Sequence, residues 1–250
     1  MPPKPAPRGA VERLVEALGD RRAVPDERWV SSLSARPLRE VRVALRALGA
    51  HRTVVAAVRE AHLEAGREFY AQICAPFELY ALVRLTRPEQ LVETGVSSGV
   101  SSTHLLLGLR DNGVGRLHSV DLPLPQRGPT LRPRESAVSL PPGRLTGWTV
   151  PAPLRSGWDL RLGRSQDLLP ELIEELPRID LFLHDDLHTP SHLRFELELI
   201  RPKLHPGAIV LADNTNWTGR AFDRFADSLG VPVFRRRASD LVGLRVPGPR

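Results

Sequence analysis

QLVETGVSSGVSSTHLL, residues 90–106, runs from an apolar strand through Gly95 and Gly99 into a helix whose first turn carries Ser101, Ser102 and Thr103. Glycines let a backbone pass close to a ligand, and a helix N-terminus presents free N–H groups to an anion such as a carboxylate. The segment therefore reads as a cofactor turn. The next strand ends at Asp121, placed to accept hydrogen bonds from a ribose diol in the crevice of a doubly wound sheet. The glycines are spaced GxxxG, not the GxGxxG of dinucleotide binders, which argues against a nicotinamide cofactor. A glycine turn that serves only chain reversal is the plain alternative.

Working outward, short apolar runs ending in Gly, Asp or Ser alternate with helical segments from Gln90 onward, the pattern of βαβ units. Strands are predicted at 90–94, 116–121, 158–162, 179–184, 208–212, 231–235 and 240–246, and helices at 101–110, 165–175, 190–200 and 219–229. Such crossovers require a mostly parallel sheet. The expected fold class is α/β: a Rossmann-like, doubly wound, seven-stranded, mostly parallel sheet with an N-terminal helical cap. Val11, Leu14, Val15 and Leu18 recur at helical spacing before Gly19, and further helices are predicted at 37–48, 54–73 and 77–85. The expected layout is a disordered, proline-rich tail at 1–8, a helical cap or interface at 9–85, and the ligand-binding domain at 86–250. Residues 122–150, proline-rich and without periodicity, are expected to form a lid loop.

The chain has 250 residues, 41% apolar and 26% charged, enough to bury one full core. Its single cysteine, Cys74, forbids an intramolecular disulfide. Neither a signal-peptide apolar region nor a membrane-length apolar run occurs, so a cytoplasmic protein without a membrane partner is expected. The net charge of +6 invites a nucleic-acid partner, but only Lys4 and Lys203 are lysines. The arginines are scattered among acids except at Arg235-Arg236-Arg237, so no nucleic-acid partner is expected. Assembly into a homo-oligomer stays open.

Glu93, Gly95, Gly99 and Ser101 form an acidic strand end followed by a glycine-rich turn. In this the segment resembles the first motif of class I S-adenosylmethionine-dependent methyltransferases. The resemblance implies that residues 86–250 bind S-adenosylmethionine, with Glu93 and the turn near the methionyl part, Ser101 on its carboxylate and Asp121 on the ribose. The stretch GRSQDLLPEL, residues 163–172, is similar to the segment after the third strand of catechol-type O-methyltransferases. That similarity implies that Ser165 and Gln166 edge the adenine; Ser165 also suits a helix N-cap.

IDLFLHDDLHTPSH, residues 179–192, closes a buried strand with acids and histidines, and HPGAIVLADNTNWTG, residues 205–219, closes the next with Asp213 and Asn214. Neighbouring strands lie about 4.8 Å apart. Asp185, Asp213 and Asn214 can thus converge as oxygen ligands for magnesium or a similar hard ion. The pairing resembles metal-dependent O-methyltransferases of the catechol and caffeoyl-coenzyme A type. His188 falls on their general-base position, filled by histidine in macrocin-type sugar O-methyltransferases. The resemblance covers residues 90–246. His184 and Asp186 flank the proposed ligand and compete for these roles, and Asp185 and Asp213 also suit helix capping or a solvated loop.

The expected activity is S-adenosylmethionine-dependent O-methylation of a small-molecule acceptor, a sugar, glycosylated natural product or catechol-like diol, assisted by a divalent metal. Trp148, Trp158 and Trp217 suit an acceptor pocket or the core, while His51, His62, His104 and His205 read as structural. Three rivals stand beside this reading. One is a metal-independent methyltransferase with His188 or His184 as sole base. A second is a nucleic-acid methyltransferase, disfavoured because no Asn/Asp-Pro-Pro-aromatic tetrapeptide follows the fourth strand. The third is a non-enzymatic scaffold.

Overall fold

The computed structural model describes residues 24–65, 75–123 and 140–247. The expectations for the tail at 1–8, the helix near Val11–Leu18 and most of the loop 122–150 lie outside these residues. Among the described residues, eight α-helices and seven strands follow in order: α1 (Glu27–Ser34), α2 (Leu38–Ala47), α3 (Arg52–Ala65), α4 (Pro76–Thr86), β1 (Gln90–Thr94), α5 (Val100–Asn112), β2 (Arg116–Asp121), β3 (Trp158–Leu162), α6 (Ser165–Glu175), β4 (Ile179–His184), α7 (Pro190–Ile200), β5 (Leu204–Ala212), α8 (Ala221–Leu229), β6 (Phe234–Arg235) and β7 (Val242–Arg245).

The strands form one sheet in the order β3-β2-β1-β4-β5-β7-β6, parallel except for β7, which runs antiparallel to both neighbours. Its central strands are largely apolar because both faces are covered, with Glu93, Thr94 and His184 buried toward their C-terminal ends. Successive side chains point to opposite faces: Leu91, Leu181, Leu183, Ile209 and Leu211 join one core with α1, α2, α4 and α5. Val92, Phe182, Val210 and Ala212 join the other with α6, α7 and α8. No helix among the described residues is long and apolar enough to cross a membrane.

Helices α6 and α7 have the predicted bounds, and α5 extends the prediction by one residue at its start and two at its end. Helix α1 was not foreseen. Asp26 caps it by accepting a bond from Trp29 N at 3.2 Å, and Trp29, Val30 and Leu33 form its buried face. Eight residues carry too short a periodic signal to stand out. What holds α1 is tertiary: Trp29 Nε1 donates to Phe234 O at 3.0 Å, and Asp26 N donates to Glu78 Oε1 at 2.9 Å. Arg236 Nε donates to the same Glu78 oxygen at 2.7 Å, a buried ion pair joining α4 to the C-terminal hairpin.

Candidate active site

Register sets the geometry. Thr94 pairs with His184, and His184 with Ala212, so β1, β4 and β5 end level and the residues that follow, Gly95, Asp185 and Asp213, stand side by side. Each step is pinned to the neighbouring strand: Gly95 N donates to Val120 O, Asp185 N to Thr94 O and Asp213 N to His184 O, at 2.8–2.9 Å.

In the turn after β1, Gly95 has φ +84°, and a Cβ there would lie 2.0 Å from Asp185 O. Gly99 has φ +91°, and its Cβ would meet Val150 Cγ2 at 2.5 Å and Gly147 Cα at 2.9 Å. Both glycines are thus required by backbone conformation and by close approach. Residues 146–150 lock onto the turn from above. Gly147 N donates to Ser97 O at 2.8 Å, Thr149 N to Ser98 O at 3.0 Å, and Thr146 Oγ1 to Asp121 Oδ2 at 2.7 Å. Asp121 Oδ1 accepts from Val96 N and Ser97 N at 2.8 and 3.1 Å, so this carboxylate shapes the turn.

Glu93 is enclosed beneath the turn. It accepts from Ser101 Oγ at 2.5 Å, Ser102 Oγ at 2.7 Å and Ser119 Oγ at 2.7 Å, while burial pushes its pKa up. Ser101 spends its proton on Glu93. The groups of the turn that remain to meet a ligand carboxylate are the backbone N–H groups of the first turn of α5, ahead of the Thr103 N to Gly99 O bond of 2.9 Å. Trp158 belongs to the core, with Nε1 donating to Ser119 Oγ at 2.9 Å.

Across the crevice, Ser165 and Gln166 open α6 above a buried polar network. Glu196 Oε2 accepts from Thr94 Oγ1 at 2.9 Å and from His184 Nδ1 at 2.7 Å, and Glu196 Oε1 lies 3.1 Å from His192 Nε2. Ser165 Oγ donates to Asp186 Oδ2 at 2.7 Å, and Gln166 Nε2 lies 3.1 Å from His192 Nδ1. Burial opposes the Glu196 charge, but the two histidines outweigh it and hold its pKa down at about 2. Ser165 begins the helix without capping it. Neither His192 nor Glu196 was singled out from sequence, although their i, i+4 spacing places both on one face of α7.

At the ends of β4 and β5, Asp185 Oδ1 lies 3.4 Å from His188 Nε2, and Asn214 Nδ2 lies 3.4 Å from the same nitrogen. Asn214 adopts φ +49°, which turns the chain at this point. Burial and the adjacent Asp213 carboxylate raise the Asp185 pKa well above its usual value, whereas burial lowers that of His188. The His188 ring stands edge-on to Trp217 at 5.9 Å, and Trp217 is 49% exposed. Trp148 instead packs on His62, at 5.0 Å. Of the candidate site residues, Gly95, Gly99, Ser101, Asp121, Ser165 and Gln166 thus fall in one group and Asp185, His188, Asp213 and Asn214 in an adjoining one, while Glu93 is enclosed beneath the first. A compact His/acid cluster among the described residues is a different one, Asp186, His192 and Glu196, whose ligand atoms lie within 4.8 Å of one another.

Residues 92–215 match the model of a family described as a methyltransferase domain. A protein of Mycobacterium sp. (strain KMS), provisionally described as an O-methyltransferase, is 28% identical over 185 residues, 74% of each chain. The solved O-methyltransferase from Bacillus cereus in complex with S-adenosylhomocysteine is 15% identical with TM-score 0.54, over 76% of this chain and 90% of that one. TomG from Streptomyces achromogenes, an O-methyltransferase of tomaymycin synthesis solved with S-adenosylmethionine, is 21% identical with TM-score 0.54, over 77% and 90%. With the glycine turn, the level strand ends and the β7-inserted sheet, the methyltransferase-domain match and the O-methyltransferase relatives support a class I S-adenosylmethionine-dependent O-methyltransferase.

Proposed function

We propose that the acceptor is a small-molecule hydroxyl, that of a sugar, glycosylated natural product or catechol-like diol. In this reading Asp185, Asp213 and Asn214 hold a divalent ion, magnesium, and His188 is the general base. The observation that carries it is the convergence of two carboxylates, an amide and a neutral-leaning histidine at two level strand ends beside the cofactor turn. Asp185, whose proton affinity is raised by burial and by the adjacent Asp213, forms with it a donor set suited to a hard cation, and the amide nitrogen of Asn214 faces His188, which leaves its oxygen as the third ligand.

S-adenosylmethionine supplies an electrophilic methyl group for in-line displacement, so the work of the chain is to orient the acceptor oxygen and remove its proton. The N–H groups of α5 receive the carboxylate of the cofactor, Asp121 its ribose, and Ser165 and Gln166 its adenine. A divalent ion at the acidic site supplies Lewis acidity that lowers the pKa of the acceptor hydroxyl. His188 takes the proton at Nε2, the nitrogen turned toward Asp185 and Asn214. Trp217 offers a flat face beside it for a sugar or aromatic ring. The packing of His62 against Trp148, with the rings tilted by 52°, supports a covering role for α3 and the segment around Trp148 on the acceptor side.

One observation favours the metal-independent rival: Asp185 already flanks His188, a carboxylate–histidine pair able to accept a proton without an ion. Methyl transfer to a panel of sugars and catechols, with and without chelator, separates the two. Loss of turnover with chelator and its return with magnesium support the ion; full turnover of the chelated enzyme refutes it. His188→Ala lowers turnover about 10²–10⁴-fold on either reading.

A further inference from the structure

The turn after β5 carries Asp213, Asn214 and Trp217, and it closes on itself. Trp217 N donates to Asn214 O at 3.0 Å, and Thr218 donates to Thr215 O through its N at 3.2 Å and its Oγ1 at 3.1 Å. Those bonds shape the turn without tying it to the strands beyond β5. Thr215 supplies that tie. Its N donates to Asp240 O at 3.2 Å and its Oγ1 to the same oxygen at 2.6 Å, so one residue fills both lone pairs of one carbonyl.

Asp240 lies in the loop between β6 and β7, which is itself anchored. Arg236 N donates to Leu241 O at 3.0 Å across the mouth of the loop. The buried Arg236 guanidinium donates to Glu78 Oε1 at 2.7 Å and to Val24 O at 3.0 Å, and Arg237 donates through both N and Nε to Asp26 Oδ2 at 3.1 Å. The carbonyl gripped by Thr215 therefore belongs to a loop bonded to α4 and to the residues that open α1. On the other side, Asp213 N is fastened to His184 O at 2.9 Å. Asn214 stands between these two anchors, one residue from each, in the left-handed region at φ +49°. Such a backbone persists where its surroundings over-determine it. The side chain of Asn214 does not do so alone, because its Nδ2 lies 3.4 Å from His188 Nε2, beyond the usual range of a hydrogen bond.

We propose that Thr215 is a positioning residue: by gripping Asp240 O with its hydroxyl it fixes Asn214, and so holds Asp213 and Asn214 together as donors to a divalent ion. This rests on the reading that Asp185, Asp213 and Asn214 hold that ion. A site whose donor must first be ordered binds more weakly, because the ordering is subtracted from the binding free energy. With the tether in place Asn214 is ordered on folding, before any ion arrives. The same tether makes the ion site depend on the helical cap, through Glu78, Arg236 and the β6–β7 loop. None of these bonds involves the glycine turn after β1, so the tether acts on the ion and not on the cofactor.

Thr215→Val removes the hydroxyl and keeps the branched shape, whereas Thr215→Ser keeps the hydroxyl. Each full chain is titrated calorimetrically with magnesium chloride and with S-adenosylhomocysteine, beside a thermal melt. Thr215→Val should bind magnesium about three- to tenfold more weakly than the wild type, the effect of one lost hydrogen bond, while Thr215→Ser should stay within about twofold of it. Both should bind S-adenosylhomocysteine as the wild type does. Thr215→Ala carries the same expectation as Thr215→Val and takes its place if valine is not accommodated. A hydroxyl that served the fold alone would lower Tm and leave magnesium affinity untouched, and that result overturns the proposal. A magnesium affinity in Thr215→Ser as low as in Thr215→Val overturns it as well. Failure of the wild type to bind magnesium overturns the underlying reading of the ion site itself.

Discussion

Gly95→Ala tests whether the closeness of the cofactor turn to the end of β4 is what demands glycine. An alanine at φ +84° costs about 1–2 kcal/mol in backbone strain alone. Its Cβ would then stand 2.0 Å from Asp185 O, 2.5 Å from Asp185 C and 2.9 Å from Asp186 N. All three are backbone atoms anchored by the Asp185 N to Thr94 O bond of 2.8 Å, so no side chain can swing aside. The turn and the strand end must part by about 1 Å in a close-packed interior, a change of the kind that costs about 1–3 kcal/mol. The sum is about 2–5 kcal/mol, or roughly 4–20 °C in Tm at about 2–4 °C per kcal/mol. Gly113→Ala is the control: its φ is +66°, but nothing lies within 4 Å of the added Cβ, so only the backbone strain applies. Urea unfolding of both variants and calorimetry with S-adenosylhomocysteine supply the readouts. Gly95→Ala should be the less stable by about 1–3 kcal/mol and should bind the cofactor product more weakly. Equal stability of the two variants, with wild-type binding by Gly95→Ala, would refute the reasoning.

The buried His192–Glu196 pair shapes stability against pH. The His192 pKa is raised to about 9, so its contribution is complete below about pH 6.5 and is lost as pH climbs toward 9. The Glu196 pKa is depressed to about 2, so its contribution is present above about pH 4.5 and is lost as pH falls toward 2. Urea midpoints should decline between pH 6.5 and 9, and His192→Gln should flatten that limb; an unchanged slope in the variant would exclude His192 as its source. Asp185→Asn should raise Tm in metal-free buffer, because it relieves the repulsion from Asp213, while abolishing any magnesium-induced Tm shift; a destabilised variant that still responds to magnesium would contradict both expectations. The amides of Gly147 and Thr149 should exchange slowly without ligand, since they donate to Ser97 O and Ser98 O; rapid exchange would place residues 146–150 with a mobile covering loop instead.

Local chemistry already determined much of this protein. The periodicities of strand and helix, and the glycines between Thr94 and Val100, are written in consecutive residues, so the alternation of elements and the cofactor turn could be read directly. Polar residues at the ends of apolar strands, Asp121, Asp185, Asp213 and Asn214, stood out because nothing in a strand interior calls for them. Tertiary structure decided which partner each polar group has. Glu93 looked like a ligand contact, yet three serines from α5 and β2 enclose it; Ser102 and Ser119 become its partners only when helix and strand pack. Trp158 and Trp217 are the same residue type, yet one fills the core and the other stands by His188. His192 and Glu196 looked like ordinary residues of an amphipathic helix, and became the hub of a network once α7 lay across the ends of β1 and β4. The physical reason is that hydrophobic period is a property of neighbours in sequence, whereas hydrogen-bond satisfaction in a buried site joins groups a hundred or more residues apart, such as Thr94 and Glu196 with a separation of 102.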